Sequence, residues 1–183
     1  MDILKGKRIQ VRPLECEDLP FRVNFINDTR VSSTLGFDLP LSIGRTKVWY
    51  GKVIEDRTRK DFTIVDSCRG NVVGFCGLLN IKTDVRSAEV YIIIGDVSYW
   101  GKGFGRDAKK ILTNYSFSEL FLNKLYAYQA DFNERSLKAN KKLGWKLEGV
   151  LRDDILLGGK LHDRHVHSIL QSEWDNDPIY QNV

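Results

Sequence analysis

Several things are missing from this chain, and each absence closes off a class of function. Cysteine occurs three times, at positions 16, 68 and 76. The number is odd and no two cysteines form a C-x-x-C pair, so the expectation is free thiols in a reducing cytoplasm rather than a disulfide framework. No run approaches the roughly 18 apolar residues of a membrane-spanning helix, and Met1–Gln10 is too charged for a signal peptide; no membrane partner is expected. A net charge of +4 is too small and too dispersed to argue for nucleic acid. There is no internal repeat, low-complexity tract or linker. With 183 residues, 42% hydrophobic and 28% charged, one globular domain over 1–183 is expected, with 174–183 a polar tail that frays.

Familiar catalytic arrangements are also missing. No Ser-His-Asp or Cys-His nucleophile pattern is apparent. The three histidines, His162, His165 and His167, cluster, but zinc spacing wants a second pair of ligands or H-x-x-x-H on a helix. No metal is expected. A structural pair at His165 and His167 outweighs a role near an acceptor pocket.

What is present is concentrated in Tyr91–Arg106, YIIIGDVSYWGKGFGR. An apolar run stops at Gly95-Asp96, a short connection follows, and Trp100-Gly101-Lys102-Gly103-Phe104-Gly105 leads into a helix-forming segment. Glycines at alternate positions let backbone N–H groups approach a ligand without an intervening Cβ. The helix that follows aims unpaired amides and a positive dipole end at the same place, which suits phosphate. Lys102 and Arg106 add charge. The spacing is G-x-G-x-G rather than the G-x-G-x-x-G of dinucleotide folds, and no Gly-Lys-Ser/Thr ends it as in a Walker loop. A plain strand-to-helix turn is the alternative.

Periodicity supplies the surroundings. Lys7–Leu14 alternates as a half-buried strand ended by Pro13. Glu15–Asn27 and Ser42–Asp56 read as helices around an irregular, functional or mobile stretch at Thr29–Leu41. Asp61–Asp66 and Val72–Ile81 form a hairpin, and Ala88–Gly95 is a third strand. Helix Gly105–Leu120, strand Lys124–Ala130 and helix Asn133–Leu143 follow. Two strands, Trp145–Leu157 and Lys160–Glu173, meet at Gly158-Gly159. The strand, glycine-loop helix and next strand make a right-handed crossover that sets the two strands parallel.

The WGKGFG loop and the later Asn133-Glu134-Arg135-Ser136…Lys142-Leu143-Gly144-Trp145 resemble two signatures of the GNAT acetyltransferases, in the version carried by the RimJ/RimL-type branch. The order β-α-α-β-β-β-α-β-α-β-β resembles that fold across Lys7 to Trp174. The resemblance implies an α+β fold with a central mixed sheet of about seven strands and helices on both faces. It implies acetyl-CoA as co-substrate, to which the modest positive charge is suited. Ile92, Ile93 and Ile94 would meet the pantetheine arm where two parallel strands splay. Trp100, Gly101, Lys102, Gly103, Phe104, Gly105 and Arg106 would hold the pyrophosphate. Asn133 would offer its amide, although a helix N-cap explains it as well, and Asn140 completes the cofactor-binding set.

Acetyl transfer to an amine requires that an ammonium with a pKa near 10 lose its proton, that the carbonyl oxygen meet donors and that the thiolate leave. Glu89 is the candidate base, on the same strand face as Tyr91 and Ile93; a solvated carboxylate is its alternative. Many members of the family place a tyrosine acid where this chain has Asn140, which cannot transfer a proton. Ser136, one helical turn earlier, is the candidate contact to the leaving sulfur. The expected activity is N-acetyl transfer to a primary amine (protein N-terminus, polyamine or amino sugar) by direct attack in a ternary complex. The competing reading is a non-catalytic coenzyme A-binding or sensory module. The expected partner is a small-molecule or peptide amine, with a homodimer as the assembly left open.

Overall fold

The computed structural model of the protein describes residues 3–181. Strand β2 (Ile9–Pro13) buries Ile9 and Val11 on one face and ends at Pro13, which has no N–H to continue a ladder. The two-residue β1 (Leu4–Lys5) pairs with it and raises the sheet to eight strands. So short a strand has no periodicity to read. Helix α1 (Leu19–Asn27) carries Pro20 in its first turn, where a missing N–H costs nothing. A single turn, α2 (Thr29–Ser32), occupies the start of the irregular stretch, capped by the Asp28 side chain. Ser42 caps α3 (Ile43–Val53) by accepting from the Arg45 amide.

Next come β3 (Lys60–Asp66), β4 (Val72–Lys82) and β5 (Ser87–Ile94), an antiparallel meander. Helix α4 (Phe104–Ser118) crosses over to β6 (Lys124–Ala130), and α5 (Glu134–Lys142) follows behind its Asn133 cap. The hairpin β7 (Lys146–Leu157) and β8 (Lys160–Leu170) turns at Gly158 and Gly159, both at positive φ. The sheet order is β1-β2-β3-β4-β5-β6-β8-β7, and β5 with β6 is its one parallel pair. Helices cover both faces. On one, Phe62 sits opposite Cys76 in the β3–β4 register and meets Tyr115 of α4 edge-on at 6.0 Å. On the other, Phe75 meets Phe25 of α1 at 6.2 Å.

Gly77 lets two elements meet closely on the second face. A Cβ there would lie 2.6 Å from Cε1 of Tyr91. Without it, the Tyr91 ring crosses β4 and its hydroxyl donates to Asp61 at 2.6 Å.

The chain's last segment corrects the expectation of a frayed tail at 174–183. Residues Gln171–Asn176 form α6 and Pro178–Gln181 form α7, while 182 and 183 lie outside the described residues. The strand read as Lys160–Glu173 accordingly stops at Leu170. Two aromatics anchor the segment: Trp174 packs on Phe117 at 5.4 Å, and Tyr180, 3% exposed, donates to the Leu143 carbonyl at 2.8 Å and accepts from the Trp145 indole. Its polarity hid these anchors, which touch residues far away in sequence. Truncating Tyr180 to alanine should therefore lower the unfolding free energy by about 3 kcal/mol, as for other buried aromatics. Urea unfolding of the variant measures this, and an unchanged midpoint would mean that the tail does not dock.

Candidate active site

A cleft of about 1010 Å³ opens where β5 and β6 part. The two strands pair only at Ser87 with Lys124, Ala88 with Leu125 and Glu89 with Tyr126. Beyond Glu89, β5 continues to Ile94 paired with β4, and β6 continues to Ala130 paired with β8. Their facing backbone groups line a gap instead of a ladder. All the residues singled out from the sequence line this cleft: Glu89, Ile92–Ile94, Trp100–Arg106, Asn133, Ser136 and Asn140.

The glycine loop forms one end. Gly101 and Gly103 hold φ of +73° and +87°, a region costly for any residue with a Cβ. Gly103 is also the N-cap of α4 and offers no side chain, so first-turn amides of α4 are left uncapped at the cleft. Arg8, just ahead of β2, fixes the loop. Its guanidinium donates to the Lys102 carbonyl at 2.8 Å and twice to Asp107 Oδ2, at 2.9 and 2.6 Å, over the Phe104 ring. Trp100 donates from its indole to the Ile94 carbonyl at 2.8 Å, and Arg135 of α5 stacks on its ring at 3.6 Å. Phe104 is buried against Tyr99. These two side chains tether the loop, leaving its backbone and Lys102 and Arg106 to meet a ligand. Loop amides, an uncapped helix start and nearby cations fit a pyrophosphate.

Glu89 stands where the strands separate. Asn80, in the left-handed region at φ 51° beside an irregularity of β4, donates to its Oε2 at 3.0 Å. Burial raises the Glu89 pKa, and the Asn80 bond and the charge of Arg164 oppose the rise only in part. Among the described residues, Glu89 is the one carboxylate that lines the cleft. A half-buried carboxylate with raised proton affinity is what a general base requires.

Helix α5 separates its two candidates. Asn133 caps the helix by accepting from the Ser136 amide at 3.3 Å. Ser136 is half-buried at the cleft wall. Asn140 turns inward and is 0% exposed. Its amide donates to Gln129 Oε1 at 2.7 Å, and its oxygen accepts from Lys109 Nζ. Its side chain is thus engaged on both sides where the residue lines the cleft. Gln129 Oε1 also faces His167 Nδ1 at 2.8 Å. An amide oxygen only accepts, so that nitrogen carries the proton. The rings of His165 and His167 lie 6.2 Å apart, and His162 faces Asp131 and Phe132. Among the described residues, no group of three or more His, Cys, Asp or Glu could hold a metal ion.

Lys109 was unmarked in the sequence, one of a pair with Lys110 in an amphipathic helix. It is 5% exposed, with Nζ 3.5 Å from the centroid of the Trp145 ring. Burial pushes its pKa down to about 7. From about 7 up to its ordinary value of 10.5, the unfolded chain binds the proton that the folded chain has released, so stability rises with pH there. Below that window the fold carries a buried ammonium. Between about pH 6 and about pH 9, therefore, the unfolding midpoint of the parent should gain on that of Lys109→Met. A difference that stays constant across thermal scans would place the lysine's titration elsewhere.

A family model described as "Acetyltransferase (GNAT) domain" matches residues 8–146. A spermidine N(1)-acetyltransferase of Vibrio cholerae serotype O1 is 31% identical over 172 residues, covering 93% of this chain and 98% of that protein. The crystal structure of spermidine N-acetyltransferase from Vibrio cholerae with CoA and spermine superposes with a TM-score of 0.86 at 31% identity, covering 93% of this chain and all of that one. A dodecameric structure of the Vibrio cholerae spermidine N-acetyltransferase in an intermediate state gives 0.81 at 31% identity, covering 93% and 98%. By the match of that model over most of its length and by these relatives, this chain belongs to the GNAT acetyltransferase family.

Proposed function

We propose that the protein transfers the acetyl group of acetyl-CoA to a primary amine by direct attack in a ternary complex. One observation carries this reading: the cleft's single carboxylate among the described residues, Glu89, stands where the parallel strands part, with its proton affinity raised by burial. Acetyl-CoA supplies the activated acetyl group. The Gly101–Arg106 backbone, with Lys102 and Arg106, holds its pyrophosphate, and the free edge of Ile92–Ile94 lies along its pantetheine arm. An incoming ammonium loses its proton to Glu89, directly or through water. Backbone N–H groups near Ile93 and Ile94 face the carbonyl oxygen as charge develops on it. Ser136 takes the contact to the leaving sulfur in place of the family's tyrosine, since the Asn140 side chain is engaged by Lys109 and Gln129. A leaving thiol titrates near 8.5, so a hydrogen bond from Ser136 suffices.

The amine is small or peptidic, and the relatives' polyamines belong to its range of candidates. The setting is the cytoplasm, which the three free cysteines suit. An assembly of several copies, a dimer or larger, is supported by the dodecameric relative and by exposed Leu147, Val150 and Leu151 on the edge strand β7.

Two variants test the roles. Glu89→Gln should lower kcat/KM by about 10²–10⁴-fold and abolish the acidic limb of the pH–rate profile. Because burial raises the Glu89 pKa, that limb in the parent should lie above the ordinary carboxylate range. Near-normal turnover of the variant would leave Glu89 a purely structural role. Gly103→Val forces a branched side chain to φ +87° and sets a Cβ 2.9 Å from the Arg8 guanidinium. Calorimetric titration should show acetyl-CoA affinity reduced by at least about tenfold, with the fold retained. Unchanged affinity would remove the loop from the binding site.

A further inference from the structure

The acceptor side of the cleft holds a cation that the chemistry above does not use. Arg22 of α1 lines the cleft and is only 6% exposed, and its side chain has no hydrogen bond to any described residue; its Nη1 is fully enclosed and unpartnered. What surrounds it is aromatic: the guanidinium lies 4.2 Å from the Trp49 ring centroid and 5.7 Å from those of Phe37 and Phe75. Stacking holds the plane of the group and leaves its N–H fork free. The nearby anion is already committed. Asp61 receives both arms of Arg59, at 2.7 and 2.8 Å, and the Tyr91 hydroxyl. A buried guanidinium without a partner is expensive, and a fold tolerates it where a ligand supplies the missing anion.

The face on which Arg22 sits also carries Glu89. In β5, Glu89, Tyr91 and Ile93 alternate onto one side, and Ile93 is opposite Phe75, whose ring Arg22 covers. A cation site and an anion site therefore share one face of the cleft, the latter where the amine is deprotonated. We propose that the acceptor is a primary amine that also carries a carboxylate, with Arg22 binding the carboxylate while Glu89 receives the amine. This rests on the acetyl-transfer reading and narrows its substrate. A planar carboxylate matches the guanidinium fork, and its single charge balances one cation, whereas a phosphate monoester brings nearly two. A polyamine presents only positive charge to Arg22, and among the described residues the cleft offers it no carboxylate except Glu89.

Matched pairs of amines decide the question in a thiol-release assay with acetyl-CoA: 4-aminobutanoate against propylamine, and phenylalanine against phenethylamine, with spermidine and glucosamine 6-phosphate alongside. Each acid should exceed its decarboxylated counterpart in kcat/KM by about 10- to 100-fold, the worth of a charge-assisted bidentate pair. In Arg22→Gln that ratio should collapse toward one, and Arg22→Lys should restore part of it. The melting temperature of Arg22→Met should equal or exceed the parent's, since an unpaired buried charge is removed; a structural arginine would show the reverse. Preference for spermidine or for the amino sugar phosphate, or an acid-to-amine ratio indifferent to Arg22, would overturn the proposal. Absence of thiol release with every amine would instead sink the transfer reading. In that case, calorimetry of N-acetylphenylalanine on the parent and on Arg22→Gln, both saturated with coenzyme A, still decides the carboxylate site: Arg22-dependent binding supports it, and equal or absent binding overturns it.

Discussion

The parting of β5 from β6 is the constraint on which the rest of the molecule depends. Parallel strands beside each other in a sheet normally pair along their length, because unpaired backbone amides and carbonyls in an interior are costly. Here pairing ends after Glu89, and each strand finds its remaining bonds on its outer side only. The inner sides become two facing edges inside one sheet. Trp100 satisfies one of the freed carbonyls, that of Ile94, and in doing so draws the glycine loop to the mouth of the gap. The gap makes room for a substrate arm, and the same feature that weakens the sheet places polar backbone where chemistry needs it.

An opening of this kind must be held from outside. Arg8 does so at the loop end, linking residues 94 and 99 positions away through three hydrogen bonds. At the other end, the irregularity of β4 turns Asn80 toward Glu89, and the bare Gly77 lets Tyr91 reach across to Asp61. Behind α5, Lys109, Asn140, Gln129 and His167 form a buried chain of polar groups. A network of that kind specifies one arrangement of the elements it joins when every member is satisfied.

Local pattern made much of this legible. The alternation of β2, the Ser42 and Asn133 caps, the Gly158-Gly159 turn and the loop glycines each act within a few residues, and sequence windows of that size reveal them. Glu89 was legible for the same reason: alternation fixes its face once the strand is known. Arg8, Arg22 and Lys109 were not. Each is a charged residue inside an ordinary amphipathic pattern, where a solvated position is the usual outcome. Their placement is decided by partners elsewhere in the chain, such as Asp107 for the exposed Arg8, Asn140 for the buried Lys109 across 31 positions and Trp49 for the buried Arg22. Tyr180 was missed in the same way, since a polar tail conceals an anchor whose receptor is Leu143. Asn140 shows the converse. The resemblance marks it for the cofactor, and nothing in its local pattern reveals the side-chain bonds it makes to Lys109 and Gln129.

The charges of the cleft explain how one carboxylate can serve. Lys102 and Arg106 stand at the loop and Arg22 on the face that carries Glu89, while Arg8, Arg59 and Arg164, which also line the cleft, are paired with Asp107, Asp61 and Asp154. Such a field attracts phosphates to the loop. At the other end it disfavours an ammonium and so lowers the pKa of a bound amine, the second of the standard ways to shift a titration. In the proposed transfer Glu89 would then have a smaller proton-affinity gap to bridge, and burial raises its proton affinity from its own side. The cations that do this have a cost in the free protein. The Arg22 side chain has no hydrogen-bond partner among the described residues, and burial pushes Lys109 toward losing its charge. A core optimised for stability alone would replace both with apolar side chains. Their presence in the walls of the cleft is best explained by an electrostatic environment that favours deprotonation of the amine and rewards an anionic group carried beside it.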